Sequence, residues 1–276
     1  MMHIKPEDIA DAIPSGVAGK LEEATTEIHS MSDDDTKEYI KKHNIWTDAR
    51  PYLERVSNRK CWYTESLNRG CHNDVDHFRP KGEKTKDGER LYWYWFEAYS
   101  VENFRLSCHF SNRVTVDWEM QEKGEGGGKG SHFPLCNSGM HAINRSEVGS
   151  EEPMLLDPCR AGDSELIAFL PDGRAVASPM AASGSIERER VDQSTHLLNL
   201  NFPTFNEDRE ALYNSIRKWV NVADAVEDIQ IAFEAIKELL EELTARESAY
   251  SSAARCFLRF FRDREWVNEI VESWSE

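Results

Sequence analysis

The sequence predicts an α+β protein, with a small core of short strands and loops held between helical segments at its two ends. Three observations predict it. Residues 6–57 and those from about 187 onward carry apolar side chains at helical spacing. Between about 59 and 120 that spacing gives way to short β-like pieces separated by loops. A hairpin signal follows within 151–180. The expected organisation is an N-terminal helical segment, 1–57, a central core with a hairpin extension, 58–180, and a C-terminal helical region, 181–276.

In the first segment, "SDDDTKEYIKKHN" offers Ser32 as an N-cap with acids in the first helical turn. Pro51 in "WTDARPYLERVS" suits a helix start. In the core, "KCWYT", "DVDHF" and "FRLSCH" read as strands. "KGEKTKDGER" at 81–90 reads as a charged, exposed stretch, and "EGGGKG" at 125–130 as a flexible loop. "LIAFL" and "RAVAS" flank "PDG", a turn with Pro and Gly in useful places. In the last region Val222, Val226, Ile229, Phe233, Ile236, Leu240 and Leu243 form a heptad-like stripe, read first as the core face of a bundle helix and otherwise as a partner-binding face. Trp266, Ile270 and Trp274 share one face of a closing helix and are expected to form an apolar docking stripe.

Apolar residues make up 39% of the 276, with 8 Trp, 8 Tyr and 12 Phe, enough for a sizeable core. No apolar run reaches the length of a membrane span, and "MMHIKPEDIADAIP" lacks the basic and apolar blocks of a secretory signal. Cysteines at 61, 71, 108, 136, 159 and 256 show no dense disulfide spacing, so a reducing cytoplasm is expected and no membrane partner. The net charge of −17 argues against bulk attraction to phosphate backbones. Residues 58–90, however, hold eight Lys and Arg against six Asp and Glu, while 187–276 hold eleven against nineteen. A nucleic-acid role must therefore rest on a local patch, a metal or a partner.

The locally positive stretch contains "CHNDVDHFRPKG" at 71–82. Side chains alternate along a strand, so Asp74 and Asp76 point one way and His77 the other, unless the strand ends there and presents Asp76 and His77 to one phosphate. Asp76 is a hard oxygen ligand suited to Mg²⁺, and His77 can take a proton from water near neutral pH. Phosphodiester hydrolysis needs both a base and a cation. His77 is expected near the surface of a cleft. Arg79 and Lys81 follow it as candidate phosphate contacts, an exposed loop being the alternative. In "YSVENFRLSCHFSNR" at 99–113, Asn103 and Asn112 lie nine residues apart. Asn112 is expected to open a helix, "NRVTVDWEMQ", and to fold back beside Asp76.

This layout resembles the HNH (ββα-metal) nucleases. The resemblance implies a ββα-metal core in which Asp76 and Asn112 are the metal ligands, His77 is the general base and Asn103 braces the loop through backbone hydrogen bonds. It implies Mg²⁺ or Mn²⁺ as cofactor. "KCWYTE", "DVDHFRPKG", "YWYWFEAYSVENFRLSCHFSNR", "HFPL", "EEPMLLDPC" and "LIAFLPDGRA", within about residues 46–205, further resemble the PtuB group, the HNH subunits of Septu-type and retron-linked anti-phage defence systems. That implies an endonuclease acting on DNA first, with RNA or tRNA open. It also implies a PtuA-like ABC-type ATPase partner and, for retron-linked members, a reverse transcriptase with its RNA and DNA.

The family commonly frames its core with two C-x-x-C knuckles on one structural Zn²⁺. Here they read Cys61-Trp62-Tyr63-Thr64 and Cys108-His109-Phe110-Ser111, so two thiolates are missing and structural zinc is not expected. Cys71, His72, His109 or Cys136 would have to rebuild such a site; Cys61 and Cys108 are otherwise small buried apolar groups. His132 and His141 read as surface or turn residues, and Glu151, Glu152 and Asp157 as structural. The alternative function is a catalytically decayed HNH-like scaffold or binding subunit of the same complex; a zinc-binding adaptor is a third.

Overall fold

The computed structural model describes residues 1–87, 89–114, 127–136, 139–226 and 229–274. Its architecture is mixed, with helices at both ends of the chain around small sheets. Four helices come first: α1 (Pro6–Ala12), α2 (Ser15–Ile28), α3 (Asp33–Lys42) and α4 (Arg50–Val56). Ser32 caps α3, its hydroxyl accepting from the Asp35 N–H at 3.3 Å. α4 carries Pro51 in its first turn, where a missing N–H costs nothing. Leu21, Ala24 and Ile28 put one face of α2 into a cluster with Leu53 and with Trp46, which sits on a 3₁₀ turn before α4.

Among the described residues the strands form three two-stranded antiparallel sheets. β1 (Asp74–His77) pairs with β4 (Phe104–Ser107), setting Asp76 opposite Arg105 and His77 opposite Phe104. On the Val75 face of this pair, Val75 and Leu106 join one apolar cluster with Trp46 and Leu53 of the N-terminal segment and with Trp62. The charged stretch after His77 is exposed as expected, but it is also a hairpin, β2 (Lys84–Lys86) with β3 (Glu89–Tyr92). A lone ribbon with both faces wet carries no apolar alternation to read.

One turn of helix, α5 (His109–Asn112), follows β4. It ends at Asn112, where the sequence suggests a helix opening; most of that suggested helix, from 115, lies outside the described residues. The turn stops because Arg113 is extended and the Ser111 and Asn112 carbonyls accept from the N–H groups of Lys129 and Gly130, both at 2.8 Å. The glycine-rich stretch is accordingly not a flexible loop over its described part, 127–130. A Cβ on Gly127 would run into the Asn199 side chain. One on Gly128, at φ +112°, would run into the Arg113 carbonyl.

"PDG" makes the expected hairpin between β5 (Ile167–Phe169) and β6 (Ala175–Ala177), with Gly173 at φ +81°. The hairpin packs into a cluster built by α6 (Ile186–Leu197), α7 (Pro203–Ala225), α8 (Gln230–Thr244), α9 (Ser251–Leu258) and α10 (Glu265–Ser273). The heptad-like stripe spans two helices, with Val226 and Ile229 in the break between α7 and α8. Ile236 and Leu240 are buried and Val222, Phe233 and Leu243 pack against them, whereas Ile229 is exposed. The closing face is core as well. Ile270 is buried, and Trp266 and Trp274 pack against the cluster, so these residues do not form the exposed docking stripe that their spacing suggests. None of the described helices is long and apolar enough to cross a membrane.

Arg190 on α6 ties the segment before the hairpin to the C-terminal helices. Buried with Asp163, it donates to that carboxylate at 2.6 and 2.9 Å and to the Pro153 and Leu155 carbonyls. Arg190→Met strands a buried carboxylate and should cost about 3–5 kcal/mol. Arg188→Ala, which breaks an exposed pair with Asp192 on the same helix, should cost within about 0.5 kcal/mol. Urea denaturation of the two variants checks the contrast.

Candidate functional site

β1 divides its side chains between two environments. His77 turns into the apolar cluster, 4% exposed, with its ring edge-on to Trp46 at 5.0 Å and to Phe104 at 5.4 Å. It is therefore buried, not at a cleft surface. The strand runs through His77 without ending early, so the alternation of faces holds there. Its Nε2 lies 2.8 Å from the Ala98 carbonyl. A carbonyl can only accept, so the proton sits on Nε2, and Nδ1 keeps its lone pair. Lys81 Nζ donates to that Nδ1 at 3.4 Å. Burial, and then the Lys81 ammonium, hold the His77 pKa well below the ordinary histidine value, so the ring is neutral at pH 7.

Asp74 and Asp76 lie on the opposite face. Asp76, 3% exposed, has both oxygens engaged: Oδ2 accepts from the Tyr63 hydroxyl and Oδ1 from Lys129 Nζ, each at 2.7 Å. Lys129, 1% exposed, also donates to the His77 carbonyl at 2.5 Å. Burial, followed by the charge of Asp76, raises the Tyr63 pKa well above its usual value, so the phenol is a firm donor. Asn112 does not reach Asp76; its Nδ2 donates to Asp74 Oδ2 at 2.9 Å, and Arg113 donates to both oxygens of Asp74 at 3.1 Å. The two sides communicate through charge. Burial lowers the Lys81 pKa, and Asp76, Lys129 and Asp74 are the charges acting on it.

Asn103 closes a brace around the end of β1. Its Oδ1 accepts from the Arg79 N–H at 2.7 Å, and its Nδ2 donates to the carbonyls of Arg79 at 2.9 Å and Glu97 at 3.1 Å. Arg79 itself is turned away from solvent, its Nε donating to Glu151 at 2.7 Å. Glu151 also accepts from Tyr94, whose hydroxyl meets His141 Nδ1. Arg105 forks onto Asp157 at 2.6 and 2.7 Å. Lys81, half-buried, is the candidate phosphate contact that borders a cleft: it lies over the Trp46 ring and lines a cleft of about 500 Å³ with Lys37 and Lys41. His132 is exposed.

Sequence reasoning overlooks Lys129 and Tyr63. The signal for Lys129 is present, a lysine set among glycines that a close backbone approach demands. Tyr63 carries no signal apart from its place in the degenerate knuckle.

The residues fit a hard cation in charge and donor chemistry. Asp74 and Asp76 offer carboxylates on one strand face, Asn112 offers an amide beside Asp74, and Lys129 shows that Asp76 accepts a cation partner. The knuckle residues converge but do not fit zinc. Cys61, Thr64, Cys108 and Ser111 are all buried. The Cys108 thiol donates to the Ser111 hydroxyl at 3.4 Å, with Thr64 Oγ1 at 3.9 Å from the same sulfur. Two thiols and two hydroxyls fall short of a closed tetrahedral Zn²⁺ site. The neighbouring Cys61 thiol, and then burial, push the Cys108 thiol pKa up. Among the described residues no three His, Cys, Asp or Glu side chains gather as a ligand set.

No family model matches the chain. Over 126 residues, 44% of its length, it is 32% identical to the Septu protein PtuB of Bacillus mycoides (strain KBAB4). The matched stretch covers 38% of that relative.

Because the four knuckle positions already meet, restoring both thiols should create the site they lack. The double variant Thr64→Cys/Ser111→Cys, purified with zinc, should hold about one Zn²⁺ per chain by elemental analysis, with Cys61 and Cys108 as the other ligands. Either single change should hold much less.

Proposed function

We propose that the chain is an HNH-type endonuclease that hydrolyses phosphodiester bonds with Mg²⁺ or Mn²⁺, acting on DNA first, with RNA or tRNA open. The observation that carries the reading is His77: a neutral imidazole with its proton fixed on Nε2 by the Ala98 carbonyl, its Nδ1 facing the Lys81 ammonium, and a carboxylate at the preceding position. The antiparallel β1–β4 pair, the single helical turn after it and the Asn103 brace support a ββα core. The similarity to a Septu protein supports a place in anti-phage defence, as effector subunit beside a PtuA-like ABC-type ATPase.

In this reading His77 Nδ1 takes a proton from water, and the Ala98 carbonyl holds the ring in the right tautomer as charge develops. Lys81 leaves Nδ1 for the incoming phosphate, drawn toward the cleft it shares with Lys37 and Lys41. Asn103 keeps the Arg79–Lys81 backbone in place. Asp76, with Asn112 brought beside it, would hold the divalent cation, which when bound would supply charge stabilisation for the phosphate and the leaving oxygen. The net charge of −17 makes the free chain a weak binder of nucleic acid, which fits a subunit delivered to its substrate by a partner.

A second reading is a scaffold subunit that has lost catalysis. The full engagement of Asp76 by Tyr63 and Lys129 favours it, since such a carboxylate is held as a structural group. Cleavage assays on DNA and total RNA, with and without the neighbouring ATPase, separate the two.

His77→Ala would open a cavity against Trp46 and Phe104, so His77→Gln is the cleaner variant, its amide still able to donate to Ala98. It should lower the cleavage rate by about 10²–10⁴ in a folded protein. Wild-type cleavage should lose rate only below about pH 6.5, the ordinary histidine value, because the His77 pKa is depressed. Lys81→Met removes one of the causes, so in a pH–rate series the acid limb should move to higher pH. The same depression has a stability sign: below about pH 6.5 the unfolded chain binds a proton that the native state does not, so His77 lowers stability as pH falls.

A further inference from the structure

The carboxylate that a divalent ion would need is already held by a cation belonging to the chain. We propose that Lys129 is a further functional residue of this site: its ammonium occupies the cation position on Asp76, and a divalent ion binds there only by displacing it. This rests on the metal-dependent reading above.

Three observations carry it. Lys129 Nζ donates to Asp76 Oδ1 at 2.7 Å and to the His77 carbonyl at 2.5 Å, while the Tyr63 hydroxyl holds the other Asp76 oxygen. With exposures of 1% and 3%, ammonium and carboxylate leave no room for a second cation between them. The lysine is delivered by construction. Gly127 and Gly128 allow the backbone to pass against Asn199 and the Arg113 carbonyl, and the Lys129 and Gly130 N–H groups are bonded to the last turn of α5. That turn carries Asn112, whose amide now rests on Asp74. Release of Lys129 from Asp76 and movement of Asn112 toward it therefore involve one connected segment. Charge points the same way. Lys81, Lys129 and Arg113 already face Asp74 and Asp76, so a doubly charged ion added without loss of the ammonium would be repelled.

The test is Mn²⁺ binding by the full chain, read from the loss of the free-Mn²⁺ electron paramagnetic resonance signal, with melting temperature as a second readout. Lys129→Met should bind one Mn²⁺ at least about tenfold more tightly than wild type, and Asp76→Asn on that background should abolish the gain. Lys129→Arg, which keeps the charge, should stay at the wild-type affinity. Without metal, Lys129→Met should melt below wild type, because Asp76 is left buried and unpaired. Added Mn²⁺ should raise its melting temperature more than that of wild type.

If Lys129→Met binds Mn²⁺ no more tightly than wild type, and both bind through Asp76, the displacement proposal fails and the metal-dependent reading stands. If neither binds Mn²⁺ while the wild type cleaves nucleic acid in the presence of chelator, both fail. Should Lys129→Met not fold, the wild-type chain labelled with ¹⁵N-lysine decides the matter. The slowly exchanging ammonium resonance of the buried Lys129 should be lost on addition of Mg²⁺, and its persistence at saturating Mg²⁺ overturns the proposal.

Discussion

The ion pair between Lys129 and Asp76 organises the centre of the molecule because neither charge can be left unmet away from water. A buried carboxylate needs donors for both oxygens, and a buried ammonium needs acceptors on several sides. Meeting those needs fixes four segments relative to one another: the turn carrying Tyr63, strand β1, the glycine-flanked stretch at 127–130 and the helical turn of α5. The apolar clusters on either side supply most of the burial, but they tolerate slippage that a pair of charges does not.

The two faces of β1 serve two different purposes. On one, Trp46 and Phe104 dry the imidazole of His77 and keep it neutral; on the other, carboxylates and cations balance one another in a polar pocket. A neutral base needs the first environment and a phosphate-handling centre needs the second. Lys81 connects them, reaching from the loop after β1 over the Trp46 ring to the free nitrogen of His77. Arg79 and Arg105 serve neither purpose directly. They are spent on Glu151 and Asp157, which anchor the segment leading to the β5–β6 hairpin.

Local features of this arrangement were legible in the chain. The Ser32 cap, the Pro51 helix start, the "PDG" hairpin and strand β1 depend on neighbours a few residues away. What escaped reading depends on long-range placement. The exposure of His77 is decided by Trp46, thirty-one positions earlier. The Trp266, Ile270 and Trp274 face could not be told from a docking stripe, because a helix facing its own core and one facing a partner carry the same spacing. The glycines at 127–130 read as slack for a similar reason: the same composition suits a free linker and a backbone pressed against a neighbour. Asn112 falls beside Asp74 because α5 makes only one turn, a length set by its bonds to Lys129 and Gly130.

The turn carrying Tyr63 has its outer side built from the far end of the chain. Lys60 donates to the carbonyls of Arg246 and Ser248, the Glu65 carboxylate accepts from Ser251 across 186 positions, and Tyr250 donates its N–H to the Glu65 carbonyl. A contact so distant in sequence carries a large loop-closure entropy cost before it forms. During synthesis on the ribosome, β1 and the stretch at 127–130 emerge long before α9, so Tyr63 lacks its backing while most of the chain is still being made. A nascent chain that has not yet made α9 thus carries the sequence of the site without the contacts that back Tyr63.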